Sequence, residues 1–341
     1  MSEIKKKILV TGGLGFIGSH TVVALQERGF EVIIIDDLSN SRVEVLDGIF
    51  SISGIKPIFY QIDLRDKPKV KRVFEEHKID GVIHFAASKA VGESVEKPLL
   101  YYGNNLISLL NLLGVMVQHK SENIIFSSSC TVYGQADKLP ITENAPTKPA
   151  ESPYGNTKQI GEEILRDVAK VDPINVIALR YFNPIGAHET AKIGELPLGV
   201  PQNLIPFVTQ TAAGIRKELS VFGNDYPTTD GTAVRDYIHV VDLAEAHVAA
   251  LERLLKGKNK SKFETFNVGT GKGSSVLEVI QAFERVSGKK LNYKIVGRRE
   301  GDITAAYADT SLVNTELGWT SKLSLEDALD SAWKWQQKQV K

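Results

Sequence analysis

Tyr154 and Lys158 stand four residues apart in the stretch SPYGNTK, behind a Ser-Pro pair that reads as the start of a helix. On a helix that spacing stacks a phenol and an ammonium on one face. Two readings are open. The pair is a solvated surface face, which is common, or it is a phenol whose acidity is tuned for proton transfer. An unperturbed phenol, with a pKa near ~10, is a poor base at neutral pH. The pair alone does not choose between these readings.

A second cluster with chemical potential lies at the other end of the chain. TGGLGFIG, residues 11–18, carries Gly13-x-Gly15-x-x-Gly18 and equally Gly12-x-x-Gly15-x-x-Gly18. A short apolar run, KKILVTG, precedes it, and apolar residues at helical spacing, FIGSHTVVALQERG, follow. That is the context in which such a loop holds a pyrophosphate. Glycine lets the backbone approach the phosphates, and the helix start at Phe16 and Ile17 offers free N–H groups. A tight strand–helix turn without a ligand is the alternative. Asp36 ends the next strand, EVIIIDD, about 18 residues past Gly18, near the spacing of a ribose-binding acid. A carboxylate there accepts from both ribose hydroxyls and repels a 2′-phosphate, and Asp37 adds to the repulsion. NAD is therefore favoured over NADP, with Arg42 the only counterweight nearby. Asp63 with Leu64, after YQI, could hold an adenine amino group. Phe85, Ala86 and Ala87 in HFAAS could line the cofactor, while His84 reads as a packed histidine.

The elements around these residues set the fold class. Strand-like runs (EVIIIDD, IKPIFYQID, GVIHFAA, NIIFSSS, NVIALRYFN) alternate with helical segments, the longest over about Leu99–Gln118. This predicts parallel βαβ units: an α/β fold with a Rossmann-type doubly wound sheet. We expect an NAD-binding domain over 1–183, with segments near 235–268 returning to it. A smaller α/β substrate domain should occupy mainly 184–341, where Pro, Gly and Asn mark long loops. The 341 residues suffice for a large core, and 41 Lys+Arg balance 41 Asp+Glu, which argues against nucleic acid as main partner. Cys130 is the only cysteine, so no intrachain disulfide forms, and the seven scattered histidines show no metal spacing. The apolar run after Lys7 is too short for a signal peptide, and LLYYGNNLISLLNLLGVMVQ is interrupted by Gly103, Asn104, Asn105 and Asn111. It reads as a buried or interface helix, not a membrane span, and a cytoplasmic location follows as the default.

With the glycine loop in place, Tyr-x-x-x-Lys downstream resembles the extended branch of the short-chain dehydrogenase/reductase superfamily. More of the chain resembles its nucleotide-sugar 4-epimerases: VTGGLGFIGSH, HFAASKAVGESVEKP, FSSSCTVYG, SPYGNTK, LRYFNPIGAH, FGNDYPTTDGTAVRDYIHVVDLA and RREGD, in order over nearly the full length. The resemblance implies catalysis by Tyr154, Lys158 and Ser129. Tyr154 would take the 4-OH proton of UDP-galactose or UDP-glucose while C4 gives a hydride to a tightly bound NAD. The 4-keto sugar would rotate and be re-reduced on its other face by the bound NADH, as an isomerase of galactose metabolism. Lys158 and the positive nicotinamide ring would favour the phenolate. Ser127, Tyr181, Lys89 and Asn104 would line the cofactor. Lys89, Phe182, Asn183, Asn203, Leu204, Arg235 and Arg299 match positions around the UDP-sugar, with Phe222 near the uracil and Asp302 on the uridine ribose. An arginine fork suits a diphosphate. Arg235 could equally be a structural ion pair, and Phe222 core.

Three departures stand out. Asp37 replaces a common Asn, Cys130 a small alanine, and Ala306 a bulky tyrosine against the sugar. A methyl at 306 leaves room at C2, so UDP-N-acetylhexosamines are expected to be accepted too. Two other readings meet an obstacle in the residues. A 4,6-dehydratase needs an Asp-Glu pair after the serine strand, where this chain has Cys130-Thr131-Val132. An NAD-binding scaffold would not need Ser129, Tyr154 and Lys158. Relatives pair through the helix after Leu99 and the Tyr154 helix, so a homodimer is expected.

Overall fold

The computed structural model describes residues 5–299 and 302–340, so Glu300 and Gly301 of RREGD lie outside the described residues. The first half alternates as expected: β1 (Lys7–Thr11), α1 (Phe16–Glu27), β2 (Glu31–Asp36), α2 (Val45–Ser53), β3 (Ile58–Gln61), α3 (Lys67–Glu76), β4 (Gly81–His84), α4 (Val91–Glu96), α5 (Pro98–His119), β5 (Asn123–Ser127), α6 (Pro153–Val171) and β6 (Asn175–Tyr181). With strand Phe263–Val268 they form one parallel seven-stranded sheet, ordered β3-β2-β1-β4-β5-β6 and then 263–268. The strands are apolar runs because both faces are covered. Period-two alternation divides them. Ile8, Val10 and Ile34 face a core shared with Val22 and Leu25 of α1 and Leu243 and Leu251 of helix Val240–Leu255. Leu9, Ile33 and Ile35 face a core shared with Val73 of α3, Leu112 of α5 and Leu165 of α6.

The strand order reverses between β1 and β4, which opens a crevice at the carboxyl ends of those strands. Beyond β6, helices Leu204–Ala212, Val276–Ser287 and Leu325–Gln339 surround a third core containing Val221, Phe283, Leu329 and Trp333. α5 is apolar along its length. One face packs Leu109, Leu112, Leu113 and Met116 into the core, and Asn105 and Asn111 bond to protein partners. Its other face leaves Leu99, Leu100, Ile107 and Leu110 exposed. α6, by contrast, exposes Glu163, Asp167 and Lys170, with Val171 its one large exposed apolar residue.

Candidate active site

The glycine loop joins β1 to α1 at the crevice. Gly12 has φ +70, and a Cβ there would sit 2.8 Å from the Ala86 amide nitrogen. A Cβ on Gly18 would lie 2.2 Å from the Gly12 carbonyl oxygen, and one on Gly13 would meet the Ile34 side chain and the Val10 carbonyl. Space thus excludes a Cβ at Gly12, Gly13 and Gly18 alike, and Gly12 alone of the three also has a positive φ. Gly15 caps α1 with no side-chain hydrogen bond, so the first turn at Phe16 and Ile17 keeps donors for a phosphate.

Asp36 is buried at the end of β2. Its carboxylate accepts from Leu14 N (3.0 Å), Leu38 N (3.0 Å) and Ser41 Oγ (2.7 Å). Burial raises its pKa above the usual carboxylate range, and these bonds oppose that shift. Asp37 beside it folds back onto Ser39. The Arg65 guanidinium donates to both Asp63 oxygens, through Nε to Oδ1 at 3.0 Å and Nη2 to Oδ2 at 2.6 Å, so an adenine amino group would have to share them. Leu64 is buried beside it. Phe85 packs on His247 at 4.7 Å between ring centroids, and Tyr181 packs on the same imidazole at 5.7 Å. Ala86 and Ala87 continue that wall, and Ala86 N reaches Thr11 Oγ1. His84 is a packed histidine, bonded to Thr11 Oγ1 at 2.7 Å and stacked on Phe126.

Ser152 accepts from Gly155 N at 3.1 Å and Pro153 sits in the first turn, so the Ser-Pro pair does start α6. Lys158 is buried on it. Its Nζ donates to the Ser127 carbonyl at 2.6 Å and lies 5.1 Å from the Phe126 ring centroid and 5.8 Å from that of Tyr154. Burial pulls its pKa down to about 8, and Glu162 opposes this. Tyr154 keeps some surface toward the cleft but is densely surrounded. Burial first, then Tyr181, pushes its phenol well above the ordinary value, while Ser129 pulls it down. Without the positive charge of a nicotinamide ring, the protein leaves the phenol high. Ser127 Oγ bonds the Tyr181 hydroxyl, and Ser129 Oγ caps the short turn Cys130–Tyr133 by accepting from Thr131 N. Burial raises the Cys130 thiol to about 12, which suits packing rather than reactivity.

The second half closes on this segment. Phe182 and Ala306 share a buried cluster with Val132, Tyr133 and Cys130, so residue 306 lies against the serine turn. Ala306 is in register with Arg235 on the adjacent short strand. Arg235 is ion-paired with Asp302, and the Arg299 guanidinium lies 4.8 Å from the exposed Phe222 ring. The ion-pair alternative for Arg235 thus holds, with another proposed nucleotide contact as partner; Phe222 is not core. Asn183 opens strand Asn183–Ile185 and its amide donates to the Asp236 carbonyl. Asn203, just before Leu204, donates to Glu195 Oε1 at 2.6 Å, and Lys89 Nζ lies 3.6 Å from the same oxygen. Asn104 donates to Ser88 Oγ.

Comparison with known proteins agrees with this geometry. The chain is 52% identical over 334 residues to the UDP-glucose 4-epimerase of Bacillus subtilis (strain 168), covering 98% of this chain and 97% of that one. The chain belongs to the UDP-glucose 4-epimerase family. It matches the family described as GDP-mannose 4,6 dehydratase over residues 9–332. A UDP-glucose-4-epimerase from Stenotrophomonas maltophila with bound NAD and formylated UDP-arabinopyranose superposes with a TM-score of 0.95 at 48% identity, covering 98% of this chain and 99% of that one. One from Bifidobacterium longum with NAD+ and UDP gives 0.94 at 50% identity, covering 98% of each. Although the broader family carries a dehydratase name, residues 130–132 of this epimerase-family chain hold no carboxylate. Sequence reasoning missed Arg65, His247, Glu195, Glu162 and Arg180. Arg65 pairs with an acid only two residues away, through side-chain geometry that the order of residues does not show; the others act through partners further along the chain or through burial, and neither leaves a local pattern.

Proposed function

We propose that this chain interconverts UDP-galactose and UDP-glucose with NAD as its resident cofactor. The observation that carries this is the convergence of Ser129, Tyr154 and buried Lys158 at the carboxyl end of β5, on the sheet edge that bears the Gly12–Gly18 loop and Asp36. The residues fit a dinucleotide. The backbone at Gly12 and Gly18 has no room for a Cβ, the α1 terminus is uncapped, and Asp36 is fixed by three donors with lone pairs left over. When bound, NAD accepts hydrogen from C4 as hydride, returns it, and in its oxidised form adds a positive charge beside the phenol. Tyr154 Oη takes the 4-OH proton and later gives it back. Ser129 Oγ bonds that hydroxyl and keeps it in line. Lys158 braces the Ser127 carbonyl and offers its remaining donors to the cofactor ribose. Arg235, Arg299, Asn203 and Asn183 hold the diphosphate, Phe222 the uracil and Asp302 the ribose, which leaves the 4-keto sugar free to turn.

Ala306 extends the reading to UDP-N-acetylhexosamines, because a methyl leaves space where the sugar's C2 substituent would lie. The exposed apolar face of α5 supports a homodimer, and galactose metabolism in the cytoplasm is the setting proposed. Product analysis on UDP-galactose and on UDP-N-acetylgalactosamine, without added NAD, tests these readings. UDP-glucose is the expected product of the first. A dehydrated product would instead indicate a lyase, and no product a scaffold. If UDP-galactose turns over but UDP-N-acetylglucosamine never forms, the wider substrate range is wrong.

A further inference from the structure

Behind the serine turn lies a buried charge cluster that the proposed mechanism does not use. Glu162, one turn beyond Lys158 on α6, is 3% exposed. Its Oε1 accepts from Ser128 Oγ at 2.6 Å and from Arg180 Nε at 2.8 Å, and its Oε2 accepts from Arg180 Nη2 at 2.5 Å. Arg180, on β6, donates through Nη1 to the Tyr133 hydroxyl at 2.9 Å, and its guanidinium lies 4.9 Å from that ring centroid. Tyr133 in turn donates to Asn267 Oδ1 at 2.7 Å. Ser128 and Tyr133 flank Ser129 on either side.

We infer that Glu162 is a positioning residue for the reaction, clamping both ends of the serine turn through Ser128 and Arg180 and serving as counter-charge to the buried Lys158. The inference rests on the functional reading above. A buried ion pair is by itself weak evidence of anything but packing, since apolar residues of the same volume often replace one without loss of stability. Here an apolar pair would strip the Ser128 and Tyr133 hydroxyls of partners and leave Lys158 without a carboxylate. Charge counting points the same way. Lys158, Arg180 and Glu162 are each at most 5% exposed, so this buried trio carries one net positive charge. Neutralising Glu162 would bury two positive charges together, and the lysine is the one that can shed its proton.

The groups against Lys158 are Tyr154 and Glu162 from its own helix, His84 from β4, and the Ser127 carbonyl and Phe126 ring from β5; Arg180 of β6 and the half-exposed Arg166 of α6 reach it only through Glu162, and Tyr181 of β6 only through Tyr154. Burial keeps His84 neutral, with its pKa near about 3, and burial raises both tyrosines. Among these groups Glu162 is the one anion at neutral pH.

The test is the pH dependence of kcat and KM for UDP-galactose in Glu162→Gln, Glu162→Asp and Ser128→Ala. Glu162→Gln should lower kcat at least about tenfold with KM within about twofold, and should move the alkaline limb down by about one pH unit, the scale of losing one nearby opposite charge. Glu162→Asp should restore the limb and part of kcat. Ser128→Ala keeps the ion pair and so the fold; it should lower kcat severalfold with the limb unmoved. A folded Glu162→Gln with wild-type kcat and an unshifted limb overturns the inference, and so does wild-type kcat in Ser128→Ala if the Gln variant fails to fold. Wild-type protein inert toward both UDP-galactose and UDP-glucose would instead overturn the functional reading, and this inference with it.

Discussion

Replacing Lys158 with methionine should trade activity for a changed pH dependence of stability. The buried ammonium has its pKa at about 8 in the fold against an ordinary 10.5, chiefly through desolvation. With one pKa unit equal to about 1.36 kcal/mol, the protonated side chain costs the neutral-pH fold about 3 kcal/mol. The sign follows from proton counting. Below pH 8 both states hold the proton and the cost is fully present. Between pH 8 and 10.5 the unfolded chain still binds it and the folded chain does not, so wild-type stability rises through that window. Methionine fills a similar volume without a charge, but leaves the Ser127 carbonyl unpaired, which costs about 1–3 kcal/mol at every pH. The variant should therefore lie between level with wild type and about 2 kcal/mol more stable at pH 7.5, on those two magnitudes. By pH 10.5 the comparison should have swung about 3 kcal/mol in favour of wild type. Urea unfolding of both proteins, freed of bound NAD, at pH 7.5, 9 and 10.5 reads the swing directly. Epimerisation should fall by at least about 10²-fold. A stability difference that stays constant across that range would refute the burial argument for Lys158.

Tyr154→Phe should reduce kcat about 10³-fold with little change in KM, since only proton transfer is lost; steady-state assays with UDP-galactose decide it. Gly18→Ala places a Cβ 2.2 Å from a backbone oxygen, so NAD should be lost on gel filtration, seen as a falling nicotinamide content per chain. Ala306→Tyr adds a large ring beside the serine turn, on the side proposed for the sugar. It should abolish turnover of UDP-N-acetylgalactosamine while UDP-galactose is still processed, measured side by side by chromatography. Leu110→Glu, on the exposed face of α5, should convert a dimer to monomer in light scattering, and an unchanged mass would remove that face from the interface.

Much of the fold was readable because its signals are local. The apolar runs of β1 to β6, the Ser152-Pro153 helix start and the glycine turn each depend on neighbours within a few residues. The homodimer expectation needed the fold to sharpen it: α5 keeps an apolar outer face, whereas α6 turns Glu163, Asp167 and Lys170 outward. Asp63 reads as an acid for an adenine amino group, and its pairing with Arg65, two residues on, is side-chain geometry that no pattern marks. Arg235 and Asp302 are 67 residues apart, and nothing in either stretch announces the other.

By itself, the sequence determined where the glycine loop, the acid ending β2 and the Tyr-x-x-x-Lys helix lie, since backbone sterics and helical periodicity act at short range. Tertiary structure alone decided that Gly12, Gly13 and Gly18 have no room for a Cβ, through the approach of Ala86, of Ile34 and of the loop's own carbonyl. It also decided that Lys158 is a desolvated cation with Glu162 and Arg180 behind it, and that Ala306 abuts the serine turn. Desolvation and contact between distant segments are properties of packing, and a one-dimensional pattern carries no record of them.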